Sequence, residues 1–325
     1  MKKAISFLLV LACTLPLLIL PSCSSDKLYH EGSGELNVVC TIFPPFDFAR
    51  NVGGDKITLT LLQDNGADLH NYVPTTATLE ALSNADVFIC VGGESDKWVD
   101  DAVSAANNPE LKILKLTSSV TLMHAELCGG EYYADYQTPE EEEHDHEHEH
   151  EGDEHVWTSL RNAVKITEVI CEAFTEADSE NGEYYRSNAD AYISELETLD
   201  SKYTETFASA KRKNVVFADR FPFVYLLNDY GISYLAAFSG CSTEANASFA
   251  TQTSLTEAVM KDSLPVVLTI EGTDKPLADT ISSSTGCSIL KMNSMQSIVR
   301  AEVTEGATYI NIMKENLEVL KQALS

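Results

Sequence analysis

After an apolar run at its start, the chain repeats one pattern: a short apolar stretch, a turn, then a segment with apolar positions every three to four residues. Leu36 to Ile42, Lys56 to Leu62 and Ala85 to Val91 read as buried strands. The first leads into a loop at Phe43-Pro44-Pro45, and the third ends at Gly92-Gly93, where the backbone must turn. Leu79 to Asn84 and Leu160 to Phe174 read as helices. A longer amphipathic helix runs from about Ser187 to Lys211, with Ala191, Ile193, Leu196, Leu199, Tyr203 and Phe207 close to helical spacing. The alternation then restarts with strands at Asn214 to Ala218, Tyr234 to Phe238, Pro265 to Ile270 and Ser288 to Lys291. Helices over Phe221 to Asp229, Ser254 to Asp262 and Ala307 to Leu324 accompany them.

Alternating strands and helices predict parallel sheets. The fold class is therefore α/β, with two α/β lobes joined by a long bridging helix. The boundaries are a first lobe over 36–185, a linking helix over 186–212 and a second lobe over 213–325. A ligand site in such a fold lies at the carboxyl ends of the strands, so function should be sought in the loops that follow them.

The first 22 residues change the picture by setting the compartment. Lys2 and Lys3 precede an uncharged run from Ala4 to Leu20, the layout of a secretion signal. The run ends in Leu20-Pro21-Ser22-Cys23, which resembles a bacterial lipobox and makes Cys23 the expected lipidation site. An ordinary cleaved signal with an incidental cysteine is the alternative. Residues 23–35 are mostly polar and read as a tether between lipid and fold, anchoring the chain to the outer face of the membrane.

The formal net charge is −28, and residues 1–22 contribute two lysines and no acids to it. Such a surface disfavours nucleic acid and anionic lipid and favours cations. The cysteines show no CxxC spacing, and Cys40 and Cys90 fall in apolar strands as buried thiols, so cysteine is not expected to be the main metal ligand.

Histidine is more informative. Eight occur, at positions 30, 70, 124, 144, 146, 148, 150 and 155. Glu140 to His155 holds ten acids, five histidines and one glycine, a composition that cannot bury a core and reads as a mobile loop. Within it, His144, His146, His148 and His150 offer several weak ligands that raise the local concentration of an ion. His70 lies in a glycine-bearing loop after the second strand, and His155 stands where the acidic run gives way to a helix. Neutral imidazoles in such places are competent zinc or manganese ligands.

Several motifs together resemble the zinc and manganese substrate-binding proteins of ABC importers, the cluster A-I family. In the first lobe they are Val38 to Pro44, Gly53-Gly54-Asp55, Gly66 to Pro74 and Leu82 to Val87; the acidic histidine loop and Glu154-His155-Val156-Trp157 follow. Tyr230-Gly231-Ile232, Thr243-Glu244, Thr269-Ile270-Glu271 and Tyr309 to Leu324 extend the resemblance through the second lobe. It implies a buried metal between the lobes, small lobe movements, His70 and His155 as first-lobe ligands, and a permease as partner. The expected molecule is a monomeric, extracytoplasmic, lipid-anchored carrier, with Zn²⁺ favoured over Mn²⁺.

The second lobe departs from the family pattern. A third histidine or a glutamate is expected about ten residues before Tyr230, where Arg220 stands, and arginine has no acceptor with which to ligate. Asp219 is the neighbouring candidate, either as a metal ligand or as a salt-bridge partner of Arg220 that shapes the crevice. Glu271, following a strand, is a second substitute ligand, whereas Glu244 caps or positions the Cys241 to Ser248 segment. A metal-dependent hydrolase is the enzyme alternative, yet the chain has no His-Glu-x-x-His and no Gly-x-Ser-x-Gly, and the expectation is that it is not an enzyme. An adhesin on the same fold is the third class.

Overall fold

The computed structural model describes residues 28–66, 69–123, 152–242, 247–272 and 276–325. The signal segment, Cys23, His124, the four loop histidines and Glu244 lie outside the described residues.

Two sheets carry the architecture. The first has five strands in the order β1-β3-β2-β4-β5: β1 (Tyr29–Gly32), β2 (Leu36–Cys40), β3 (Ile57–Leu61), β4 (Val87–Cys90) and β5 (Lys112–Lys115). All pairs are parallel except β1 with β3, where Tyr29 faces Leu61. The second sheet is parallel throughout, in the order β7-β6-β8-β9: β6 (Asn214–Phe221), β7 (Ser233–Ser239), β8 (Val266–Ile270) and β9 (Ser288–Met292). Central strands such as β4 and β8 are buried along their whole length, which explains sequences that are apolar but for Thr269.

The linking helix runs from Gly182 to Ala208, 27 residues, and buries Tyr185, Ala189, Tyr192, Leu196, Leu199, Tyr203 and Phe207 along one stripe. One apolar core is continuous from first-lobe residues such as Val38 and Phe46, past this helix, to Leu268 and Met313 of the second lobe. A buried carboxylate reinforces the joint: Asp47 pairs with Arg50 and accepts from Tyr192 Oη (3.3 Å) and from the Tyr309 amide (2.8 Å). It thereby ties a first-lobe helix, the linking helix and the C-terminal helix Tyr309–Ala323 together.

Phe221, expected to open a helix, instead ends β6, the helix beginning at Val224, and two further segments differ from the expectation. Phe43-Pro44-Pro45 opens the helix Phe43–Gly53 rather than a loop, because proline in the first turn lacks only an amide that would have no helical partner anyway. Part of the expected tether, Tyr29–Gly32, is an edge strand whose residues alternate between half-buried and exposed. Among the described residues no helix is long and apolar enough to cross a membrane.

Candidate metal centre

The carboxyl ends of β3, β4 and β7 converge on one cluster. After β3 the chain passes through a turn at Leu69–Asn71 that presents His70. After β4, a short turn at Glu94–Asp96 presents Ser95. Segment 152–159 then crosses the cleft, with Glu154 and His155 directly before the turn Val156–Thr158 and the helix Leu160–Ala177, which Ser159 caps by accepting from the Asn162 amide. Past the end of β7 comes Gly240-Cys241. One donor atom from each of His70, Glu154, His155 and Cys241 lies within 4.8 Å of all the others.

Both lobes hold the middle of this site. Trp157 is fully buried, donates through Nε1 to the Ser294 carbonyl (2.9 Å) and accepts at its own carbonyl from Tyr309 Oη (2.7 Å). Tyr225 Oη donates to the Asp153 carbonyl (2.5 Å). His155 is therefore pinned on either side along the chain, and its ring is wholly buried.

The orientation of that ring follows from its neighbours. His155 Nδ1 lies 3.0 Å from Asp153 Oδ1, which favours the tautomer that keeps the proton on Nδ1 and the lone pair on Nε2. Nε2 is buried and has no hydrogen-bond partner among the described residues, a costly state for a polar atom unless something else satisfies it. Gly240 presses on the same ring: a Cβ there would come within 2.7 Å of His155 Cε1, so only glycine lets the end of β7 approach this closely.

Glu154 divides its two oxygens. Oε2 accepts from the Ser95 amide (3.0 Å) and hydroxyl (2.9 Å), while Oε1 lies 3.2 Å from His70 Nδ1 and 3.5 Å from Cys241 Sγ. Burial opposes ionisation of this carboxyl, but the His70 ring, the nearby His155 and the Ser95 amide outweigh it and hold the pKa at about 2. Burial by itself would depress His155, yet the Asp153 and Glu154 carboxylates more than offset that, against the opposing charge of Arg220, and the net direction is upward. Burial, followed by the charge of Glu154, pushes the Cys241 thiol upward.

Of the residues expected from sequence, the structure brings His70 and His155 together, their ring centroids 5.8 Å apart, and leaves Asp219 and Glu271 outside the cluster. Asp219 Oδ2 accepts from the Ile270 amide (3.0 Å) and Oδ1 from the Arg220 amide (2.8 Å). The β6–β7 register shifts between Phe217 and Arg220, and β6 pairs with β8 only at Phe217 and Leu268, so this carboxylate takes over where the ladder ends. Glu271 accepts from the Ser294 amide (2.8 Å) and hydroxyl (2.5 Å), closing the ends of β8 and β9. Beside it lies a cavity of about 80 Å³ lined by Gly66, Arg220, Gly272 and Gln296 among others.

Sequence reasoning passed over Glu154 and Cys241 as donors. Glu154 was hidden in a run of acids; its signal was adjacency to His155 just before the apolar Val156-Trp157. Cys241 lacks a partner cysteine at metal spacing; its signal was a Gly-Cys pair at the carboxyl end of a parallel strand.

Comparisons with known proteins identify the relatives of the chain. The zinc-binding lipoprotein AdcA of Streptococcus pneumoniae strain R6 is 33% identical over 320 residues, 98% of this chain and 61% of that protein, so the chain spans about three fifths of that relative's length. The high-affinity zinc uptake system protein ZnuA of Bacillus subtilis is 29% identical over 322 residues, covering 99% of this chain and 95% of that protein. The crystal structure of the Zn(II)-bound ZnuA-like domain of S. pneumoniae AdcA superposes with a TM-score of 0.71 at 30% identity, covering 90% of this chain and 99% of that domain. Residues 38–323 match the family model described as zinc-uptake complex component A, periplasmic, and the chain belongs to that family.

Proposed function

We propose that this protein is an extracytoplasmic solute-binding lipoprotein that captures Zn²⁺ and delivers it to an ABC importer, without catalysing a reaction. The observation that carries the reading is His155, whose buried Nε2 has no hydrogen-bond partner among the described residues, clustered with His70 and Glu154 in the cleft between two lobes. Two imidazoles and a carboxylate form a sound first shell for Zn²⁺, which accepts mixed nitrogen and oxygen donors in tetrahedral geometry. The names of the relatives point to the same cargo. Mn²⁺ is the secondary cargo.

In this reading His70, Glu154 and His155 hold the ion, and Asp153 fixes the His155 ring. Asp219 and Glu271 shape the second-lobe wall instead of ligating. The histidines at 144, 146, 148 and 150 feed the site from outside the described residues, and Cys23 carries the lipid. The protein acts as a monomer with the permease as its partner.

The test is the metal content of purified, tag-free mature protein, with competitive titration by Zn²⁺ and Mn²⁺. One tightly held zinc is expected, absent when His70 and His155 are both replaced by alanine. A chain that binds no zinc tightly, or that binds it regardless of both histidines, would overturn the proposal. Deleting residues 140–151 is expected to slow capture and reduce weakly bound ions while sparing the tight site; loss of that site would reject the division of labour.

A further inference from the structure

We propose that Cys241 is a thiolate ligand of the transported metal and the donor through which the ion ties the second lobe to the first. This rests on the functional reading above and adds to it the chemistry that selects the cargo. His70, Glu154 and His155 all belong to the first lobe, and among the described residues Cys241 is the second-lobe member of the cluster. Without it, metal binding would engage one wall of the cleft and leave the other unlinked.

The geometry already approaches a coordination shell. Zinc bonds of about 2.0–2.1 Å to nitrogen or oxygen and about 2.3 Å to sulfur imply tetrahedral edges of roughly 3.3–3.6 Å. Glu154 Oε1 stands 3.2 Å from His70 Nδ1 and 3.5 Å from Cys241 Sγ, so two edges are in place. The remaining separations, none above 4.8 Å, need a contraction of at most about 1.5 Å, which a small closing movement supplies.

One observation independent of the thiol points to a ligand at this spot, and a second explains how the thiol reaches it. The fully buried Nε2 of His155 lacks a hydrogen-bond partner among the described residues, and His155 is a member of the same cluster. Gly240 allows the end of β7 to lie against the His155 ring, which sets the next residue beside the donors. Coordination replaces the S–H bond by an S–metal bond and releases one proton to solvent, with no change of oxidation state. Thiolate is a soft donor, so a shell of two nitrogens, one oxygen and one sulfur suits Zn²⁺ and other thiophilic ions and disfavours Mn²⁺, which prefers oxygen.

The experiment is X-ray absorption at the zinc edge on the full mature chain loaded with one equivalent of Zn²⁺, alongside Zn²⁺ and Mn²⁺ titrations of wild type and Cys241→Ser. The expected wild-type spectrum has one sulfur scatterer at about 2.3 Å, lost in Cys241→Ser while the histidine scatterers persist. Zinc affinity should fall on the order of 100-fold and manganese affinity little, so that selectivity narrows. Unchanged circular dichroism of the metal-free variant would show that its fold is intact. A tightly bound zinc with only nitrogen and oxygen neighbours would overturn the thiolate proposal and leave the transport reading standing. Absence of tight zinc in the wild type would remove the reading beneath both.

Discussion

The two lobes share a plan, parallel strands whose carboxyl ends face the cleft, yet they use those ends differently. In the first lobe Glu154 gives one oxygen to Ser95 and keeps the other among the donors. In the second lobe Asp219 gives one oxygen to the Ile270 amide and the other to the Arg220 amide, and Glu271 gives both to Ser294. A carboxylate beside the cleft can offer an oxygen to a metal only where neighbouring amides and hydroxyls have not claimed it. The second lobe closes its own strand ends with its acids and reaches the cluster through a sulfur instead.

The largest effect that separates the two uses is expected at Glu154. Structural zinc binding of roughly 10–16 kcal/mol shared among four ligands assigns each about 3 kcal/mol, so Glu154→Ala should weaken zinc on the order of 100-fold. Isothermal or competitive titration checks this. An affinity within a few-fold of wild type would place Glu154 with the bracing acids and erase the contrast. Next comes Asp153→Asn, which keeps an oxygen near His155 but removes the charge that orients its ring. A loss near the lower end of the outer-shell range, about tenfold, is expected by the same titration.

How far these features were legible in sequence depends on how local their signals are. Nearly continuous apolar runs found β2, β4 and β8, because burial on both faces leaves few polar positions. The strand Tyr29–Gly32 was not found, since a short edge strand with one exposed and one half-buried polar position looks like a tether. The helix at Phe43 was obscured by prolines that favour its first turn as much as a loop. His70 and His155 stood out by their rarity and their position next to elements. Glu271 follows β8 as expected, whereas Asp219, expected just past a strand, lies within β6, and which oxygens the Ile270, Arg220 and Ser294 amides occupy depends on register and on a strand irregularity that no sequence pattern displays. Cys241 was invisible for the complementary reason: its partners come from segments 87 and 171 residues away in the chain, at Glu154 and His70.

The smallest effect on metal, and the sharpest check of the comparison, is expected at Asp219. Replacing it by alanine leaves the Ile270 and Arg220 amides without the acceptor that now holds them, near the point where β6 and β8 part. The residue is 8% exposed, so water restores those bonds poorly, and a buried donor left unsatisfied costs about 1–3 kcal/mol. Denaturant unfolding of the metal-free protein should record a loss of that size. Zinc affinity should change by less than about tenfold, because the donors in the cluster belong to other residues. If Asp219→Ala instead unfolds like wild type and loses zinc as completely as Glu154→Ala, its oxygens leave the strand ends for the metal when the lobes close. Both lobes would then contribute carboxylates, and the sulfur would no longer be the second lobe's distinguishing donor.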